Sequence, residues 1–156
     1  MDKEGTHFPI LAACVARTQG PVLELGCGEY STPMLHFLCN GRRLVSLEDD
    51  PDWINKYKEL ETNWHTLQFV DKWADARIID EVKWDVAFVD HAPAEQRIQE
   101  IKRLKNLAKH IVIHDTENPN GIYKYDSILP EFKFRFDFKK WSTWTSVVSM
   151  FEEFIP

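Results

Sequence analysis

Five short runs rich in apolar and β-branched residues recur along the chain, at 21–25, 43–48, 66–70, 85–90 and 110–113. Runs this short, apolar on both faces, suit strands buried on both sides of a parallel sheet. The segments between them carry apolar residues at helical spacing. Trp53, Ile54, Tyr57 and Leu60 line one such face, entered through Asp50-Pro51, with Pro51 suited to a first helical position. Ile98, Ile101, Leu104 and Leu107 line another, and the interleaved Arg97, Lys102, Arg103 and Lys105 read as its solvated face. An N-terminal helix is expected from residue 6 or 8 to 17, with Leu11, Cys14 and Val15 inward, and a short helical turn at 73–79. Alternating strands and helices make a doubly wound α/β domain around a mostly parallel sheet.

The last third breaks the rhythm. Phe132, Phe134, Phe136 and Phe138 alternate strictly with Lys133, Arg135, Asp137 and Lys139, and a β-rich run follows at 143–150. This predicts an antiparallel hairpin that closes a seven-stranded sheet, with the alternating charges on the exposed face of an edge strand. The 156 residues, 44% hydrophobic and 28% charged, with no repeat or linker, make one domain spanning 1–156.

The net charge of −6 argues against a nucleic-acid backbone as the main partner. Cys14, Cys27 and Cys39 are odd in number and show no CxxC spacing, so neither a disulfide framework nor a zinc site is expected from them. A reducing, cytoplasmic location follows as the expectation. The start MDKEG is polar and the apolar run at 10–16 is too short to span a bilayer, so no signal peptide or membrane partner is expected.

In a doubly wound sheet, ligands bind at the carboxyl ends of the strands, where strand order reverses. Polar residues follow all five runs: Gly26-Cys27-Gly28, Glu48-Asp49-Asp50, Asp71-Lys72-Trp73, Asp90-His91 and His114-Asp115-Thr116-Glu117. Any one could cap a helix, and for Asp49, Asp50 and Asp75 that is the better reading; the ensemble points to a site. Gly26 and Gly28 allow close backbone approach, and Glu48 lies where a carboxylate accepts ribose hydroxyls. An NAD loop would favour glycine at Ser31 and apolar residues before Gly26. Glu24 would instead repel a pyrophosphate, and could orient the cationic end of an amino-acid cofactor, directly or through the loop.

"VLELGCG", "SLEDDPDW", "WDVAFVDHAP" and "IVIHDTEN" together resemble class I S-adenosylmethionine-dependent methyltransferases, as does the terminal hairpin, over nearly the whole chain. The resemblance implies a Rossmann-like fold and S-adenosylmethionine as cofactor. Glu24, Gly26 and Gly28 would meet its methionine portion, with Ser31 and Thr32 at its carboxylate. Glu48 would hold the ribose. Asp71, Lys72 and Trp73 would lie near the adenine, Trp73 as a stacking face or as a core tryptophan. Asp90 and His91 would flank the sulfonium and the acceptor. Tyr30 replaces the commoner third glycine of that loop.

"LELG…YST", "FVDH" and "HDT" are also similar to the catechol O-methyltransferase branch. That narrower likeness implies Mg²⁺ on Asp90 and Asp115, completed by Thr116, Glu117 or Asn118. It is not the favoured expectation, because Pro93 stands where that branch has its lysine base and Thr116 where it has asparagine. His91, His114 and Asp115 are the candidate bases, with Asp90 beside the reacting atoms. His7, His36, His65 and His110 read as core or surface residues.

The expected activity is methyl transfer to a small-molecule O- or N-nucleophile. A non-catalytic cofactor-binding protein or subunit is the alternative, since only the N-terminal helix and the 116–130 loop, with Tyr123 and Tyr125, could cover an acceptor. An NAD-dependent oxidoreductase is disfavoured by Glu24 and the hairpin.

Overall fold

In the computed structural model, which describes residues 3–118 and 120–156, seven strands form one sheet of order β3-β2-β1-β4-β5-β7-β6. The strands are β1 (Val22–Leu25), β2 (Leu44–Glu48), β3 (His65–Phe69), β4 (Trp84–Val89), β5 (Ala108–His114), β6 (Phe134–Phe138) and β7 (Thr145–Ser149). The first five are parallel to their neighbours, and β7 runs antiparallel to both β5 and β6. The predicted hairpin is present, with β6 on the edge and β7 inside.

Helices cover both faces: α1 (Phe8–Ala16), α2 (Thr32–Leu38), α3 (Pro51–Tyr57), α4 (Ile78–Glu81) and α5 (Arg97–Leu104). Asp50 caps α3 by accepting from the Asp52 amide at 2.8 Å, as its place before Pro51 predicts. Strand parity sorts the apolar side chains into two cores. Leu23, Leu25, Val45, Leu47, Val89, Ile111 and Ile113 pack with Ile79, Ile98 and Ile101 on the α4–α5 side. Val22, Leu44, Val86, Phe88, Val112 and Val147 pack with Ile10, Leu11, Cys14 and Leu35 on the α1–α2 side.

The solvated face assigned to α5 is corrected in two places. Arg97 is only 6% exposed, and Arg103 turns inward to donate to the carbonyls of Trp73 (2.9 Å) and Ala76 (2.8 Å) and to pair with Asp80 at 2.6 Å. Long basic side chains at the ends of a short helix can reach back over the adjoining loops. Among the described residues no helix is long and apolar enough to cross a membrane, and the three cysteines are buried and free. Met1 and Asp2 of the polar start, and Pro119 of the 116–130 loop, lie outside the described residues.

Candidate functional site

The strand order reverses between β1 and β4, and the backbones approach closely there. Gly26 has φ +92°, and a Cβ on it would stand 2.6 Å from the His91 Cα. Glycine is required on both counts. The loop after β1 is thus wedged against the end of β4.

Glu24 lies on the α2 side of β1, level with Ser46 of β2. It is fully buried. Ser46 Oγ donates to Glu24 Oε2 at 2.5 Å, and Thr32 Oγ1 donates to Oε1 at 3.0 Å while accepting from the Gly28 amide, also at 3.0 Å. Burial pushes the Glu24 carboxyl up to about 7, against the pull of hydrogen bonds from Ser31, Ser46 and Thr32. Glu24 therefore acts on the loop from beneath, and Ser31 and Thr32 are themselves buried and face it.

Glu48 ends β2, 7% exposed, and gathers three amides: Cys27 N at 2.7 Å on Oε2, Asp49 N at 3.0 Å and Asp50 N at 2.9 Å on Oε1. It ties the first loop to the second. Asp71 and Lys72 are exposed and line a cavity of about 180 Å³ with Asp75 and Ala76. Trp73 is a core tryptophan, 2% exposed. Its Nε1 donates to Ala92 O at 2.9 Å and Asp49 Oδ2 at 3.2 Å, and its ring packs 4.1 Å from that of His91.

Asp90 and His91 were expected to flank one site together, but the chain sends them opposite ways. Consecutive residues leaving a strand alternate faces. His91 turns to the α5 side, 1% exposed, with Nε2 3.4 Å from Glu100 Oε2. Burial lowers its pKa. Asp90 turns to the α1 side, where Phe88 and Val112 also point. There Asp90 Oδ2 meets His114 Nδ1 at 3.2 Å, and Asp115 Oδ1 lies 3.5 Å from the same nitrogen. The two carboxylates raise the His114 pKa against its burial, and His114 and Arg97 hold Asp90 below the usual carboxylate range. Asp115 itself sits at φ +60°, a left-handed turn that aspartate tolerates better than most residues.

Arg97 and His7, which the sequence reading set aside, and Tyr123, which it placed over an acceptor, complete the cluster. Arg97 donates to His91 O (2.7 Å) and Asp90 O (2.9 Å), and pairs with Asp90 Oδ1 (3.0 Å) and Asp115 Oδ2 (3.2 Å). Tyr123 stacks on its guanidinium at 4.9 Å and donates to Asp115 Oδ2 at 2.8 Å. His7, at the start of α1, packs against Phe88 at 4.6 Å and His114 at 4.8 Å, and burial lowers its pKa to about 4. The one available signal for Arg97 was its place seven residues after Asp90, at the first turn of the next helix. Nothing local marks His7.

The Mg²⁺ oxygen set is not assembled. The Arg97 guanidinium bridges Asp90 and Asp115 where a shared cation would sit, Thr116 Oγ1 accepts from Ser146 at 2.8 Å, and Glu117 accepts from the Trp144 amide at 3.1 Å. A cavity of about 270 Å³ opens beside the cluster, lined by Lys3, Glu4, Asp90, His114, Asp115 and Thr143.

No protein-family model matches the sequence, and no curated protein does. Solved structures do. A caffeoyl-CoA O-methyltransferase-like protein from Staphylococcus aureus aligns over 91% of this chain and 82% of its own, with TM-score 0.70 and 12% identity. An rRNA methylase from Streptococcus thermophilus aligns over 90% and 95%, with TM-score 0.63 and 8% identity. The N-terminal domain of human METTL16, in complex with SAH, aligns over 87% and 63%, with TM-score 0.56 and 12% identity.

The chain has the class I methyltransferase fold.

One expectation falls with these comparisons. The net charge was read as arguing against nucleic acid as the main partner, yet the same fold belongs to an rRNA methylase. Net charge reports on neither a local basic patch nor recognition by shape, which carry much of RNA binding. It therefore does not decide the acceptor class.

Proposed function

We propose that the protein binds S-adenosylmethionine in the crevice above β1, β2 and β4 and transfers its methyl group to an acceptor O–H or N–H group. The observation that carries this reading is the convergence, at the point where the strand order reverses, of the Gly26 loop, Glu48 and the Asp90–His114 pair. The donor set suits the cofactor. The glycine loop between β1 and α2 would meet the amino-acid portion, a carboxylate at the end of β2 suits ribose hydroxyls, and the exposed Asp71 and Lys72 would lie on the adenine side.

When bound, the cofactor supplies an electrophilic methyl on a sulfonium. This chain's residues do the rest. Glu48 and the loop it ties down hold and orient the ligand, with Glu24 bracing that loop from below. Trp73 and His91 fix the backbone under it. The acceptor lies in the cavity beside Asp90 and Asp115. Asp115, which lines that cavity, takes its proton, and Asp90, His114 and Arg97 set the charge around it. Positioning supplies most of the rate for such an in-line displacement.

Calorimetry tests the reading. S-adenosylhomocysteine is expected to bind, NADH not to, and Glu48→Ala to weaken the homocysteine ligand by tenfold or more, roughly the worth of a lost hydrogen bond to a charged group. NADH binding without S-adenosylhomocysteine binding would refute it. Transfer of labelled methyl into separate pools of RNA and of small O- and N-nucleophiles then identifies the acceptor class.

A further inference from the structure

The Asp90–His114 contact contains an unusual pairing of acceptors. Thr6 Oγ1 donates to Lys3 O at 3.0 Å, so its lone pairs take the Nε2–H of His114 at 2.9 Å. That leaves Nδ1 to face Asp90 Oδ2 at 3.2 Å. Two acceptor atoms at that distance need a positive centre between them, a proton or a metal cation. His7 lies against the same pair. It is 2% exposed, neither ring nitrogen has a hydrogen-bond partner, and His7, Asp90 and His114 each offer one ligand atom within 4.8 Å of the others. A proton shared by Asp90 and His114 leaves both His7 nitrogens buried and unsatisfied, which is costly. A metal cation engages all three residues and, with them, one of the two His7 nitrogens.

We propose that His7, Asp90 and His114 form a binding site for a borderline divalent cation, of the class of Zn²⁺ or Co²⁺. Two imidazoles and one carboxylate suit this class better than Mg²⁺ or Ca²⁺. The 3.2 Å separation of Nδ1 and Oδ2 is close to the roughly 3.4 Å between two ligands of a tetrahedral ion with bonds of about 2.1 Å. Thr6 stands where an outer partner of a metal-bound histidine normally stands, on the other ring nitrogen. Arg97 occupies Asp90 Oδ1, leaves Oδ2 to the ion, and has its own charge offset by Asp115. With three protein ligands a fourth position stays open, on the side of the cavity beside Asp90 and His114. The site differs from the Asp90–Asp115 oxygen set in drawing on the start of α1.

This site shares Asp90 and His114 with the proposed acceptor cavity but does not require the cofactor, and it is tested without cofactor. Purified protein is dialysed to equilibrium against Zn²⁺ and assayed for metal content, and Co²⁺ is added for its visible ligand-field bands. The wild type is expected to hold one equivalent and to show the bands. His7→Phe, which keeps an aromatic ring against Phe88, and His114→Ala should each weaken binding by more than the roughly 100-fold that marks the upper end for loss of an outer partner. Circular dichroism confirms that each variant is folded. His36 and His65 form a second imidazole pair, with Nδ1 atoms 3.0 Å apart, so His36→Ala is the control and should retain the metal. Absence of bound metal in the wild type, retention of full affinity in His7→Phe, or loss in His36→Ala with retention in His7→Phe overturns the proposal.

Discussion

Replacing Glu24 by glutamine should spare the protein a loss of stability that grows as pH rises from 4.5 to about 7. Glu24 is fully buried, and its carboxyl is raised to about 7 from an ordinary 4.5. The unfolded chain ionises this group freely above 4.5, whereas the folded chain resists until about 7. The folded state is therefore favoured fully below 4.5, loses stability as pH climbs from there to 7, and levels off above. Each pH unit between those values is worth about 1.4 kcal/mol, so the loss approaches about 3 kcal/mol. That is a large share of the roughly 5–15 kcal/mol that holds a domain together. Glutamine keeps the shape and cannot ionise. The Ser46 hydroxyl can then accept from the new amide and turn its hydrogen toward His65 Nε2, 3.0 Å away. Urea unfolding of both proteins between pH 4 and 9 measures the effect. All other titrating groups are shared, so the difference between the two curves isolates Glu24. The difference should move in favour of the variant between pH 4.5 and 7 and stay flat on either side. Parallel curves across the window would refute the reasoning.

Two further outcomes are expected. Arg97→Met removes the cation that bridges Asp90 and Asp115 and should cost about 3–5 kcal/mol, as for other ion pairs broken on one side, read by chemical denaturation. Gly26→Ala and Gly41→Ala should separate strain from clash: Gly41 (φ +75°) has open space at its Cβ position and should lose about 1–2 kcal/mol, whereas Gly26 adds a Cβ 2.6 Å from the His91 backbone and should lose clearly more, both read from unfolding midpoints.

The strands were legible because a buried parallel strand must be apolar on both faces, and each of the five expected runs overlaps an observed one. The alternating phenylalanines disclosed β6 for the opposite reason, since an edge strand keeps one face wet. The polar ends of the strands marked the rim of the sheet. Which of those side chains meet was not legible. Asp90 and His91 are neighbours in sequence, and only the parity of β4 separates them onto opposite faces. Arg97 read as a solvated helical charge because its partners, Asp90 and Asp115, are brought to it by two different strands. His7 is further still: its position against His114 depends on how α1 crosses β4 and β5, a contact between distant parts of the chain.

The order of the last three strands bears on how the chain is made. β7 leaves the ribosome after β6 yet lies between β6 and β5. Until it emerges, β6 has no strand to pair with, and β5 presents an open ladder beside a loop already rich in aromatics. The nascent domain therefore passes through a stage with two sticky margins, which a single late insertion seals at once. A premature stop between 139 and 144 would not trim the sheet by one strand. It would leave a four-phenylalanine segment, from Phe132 to Phe138, without a place in it, and such a fragment should be met by chaperones and proteases rather than accumulate as a smaller folded protein.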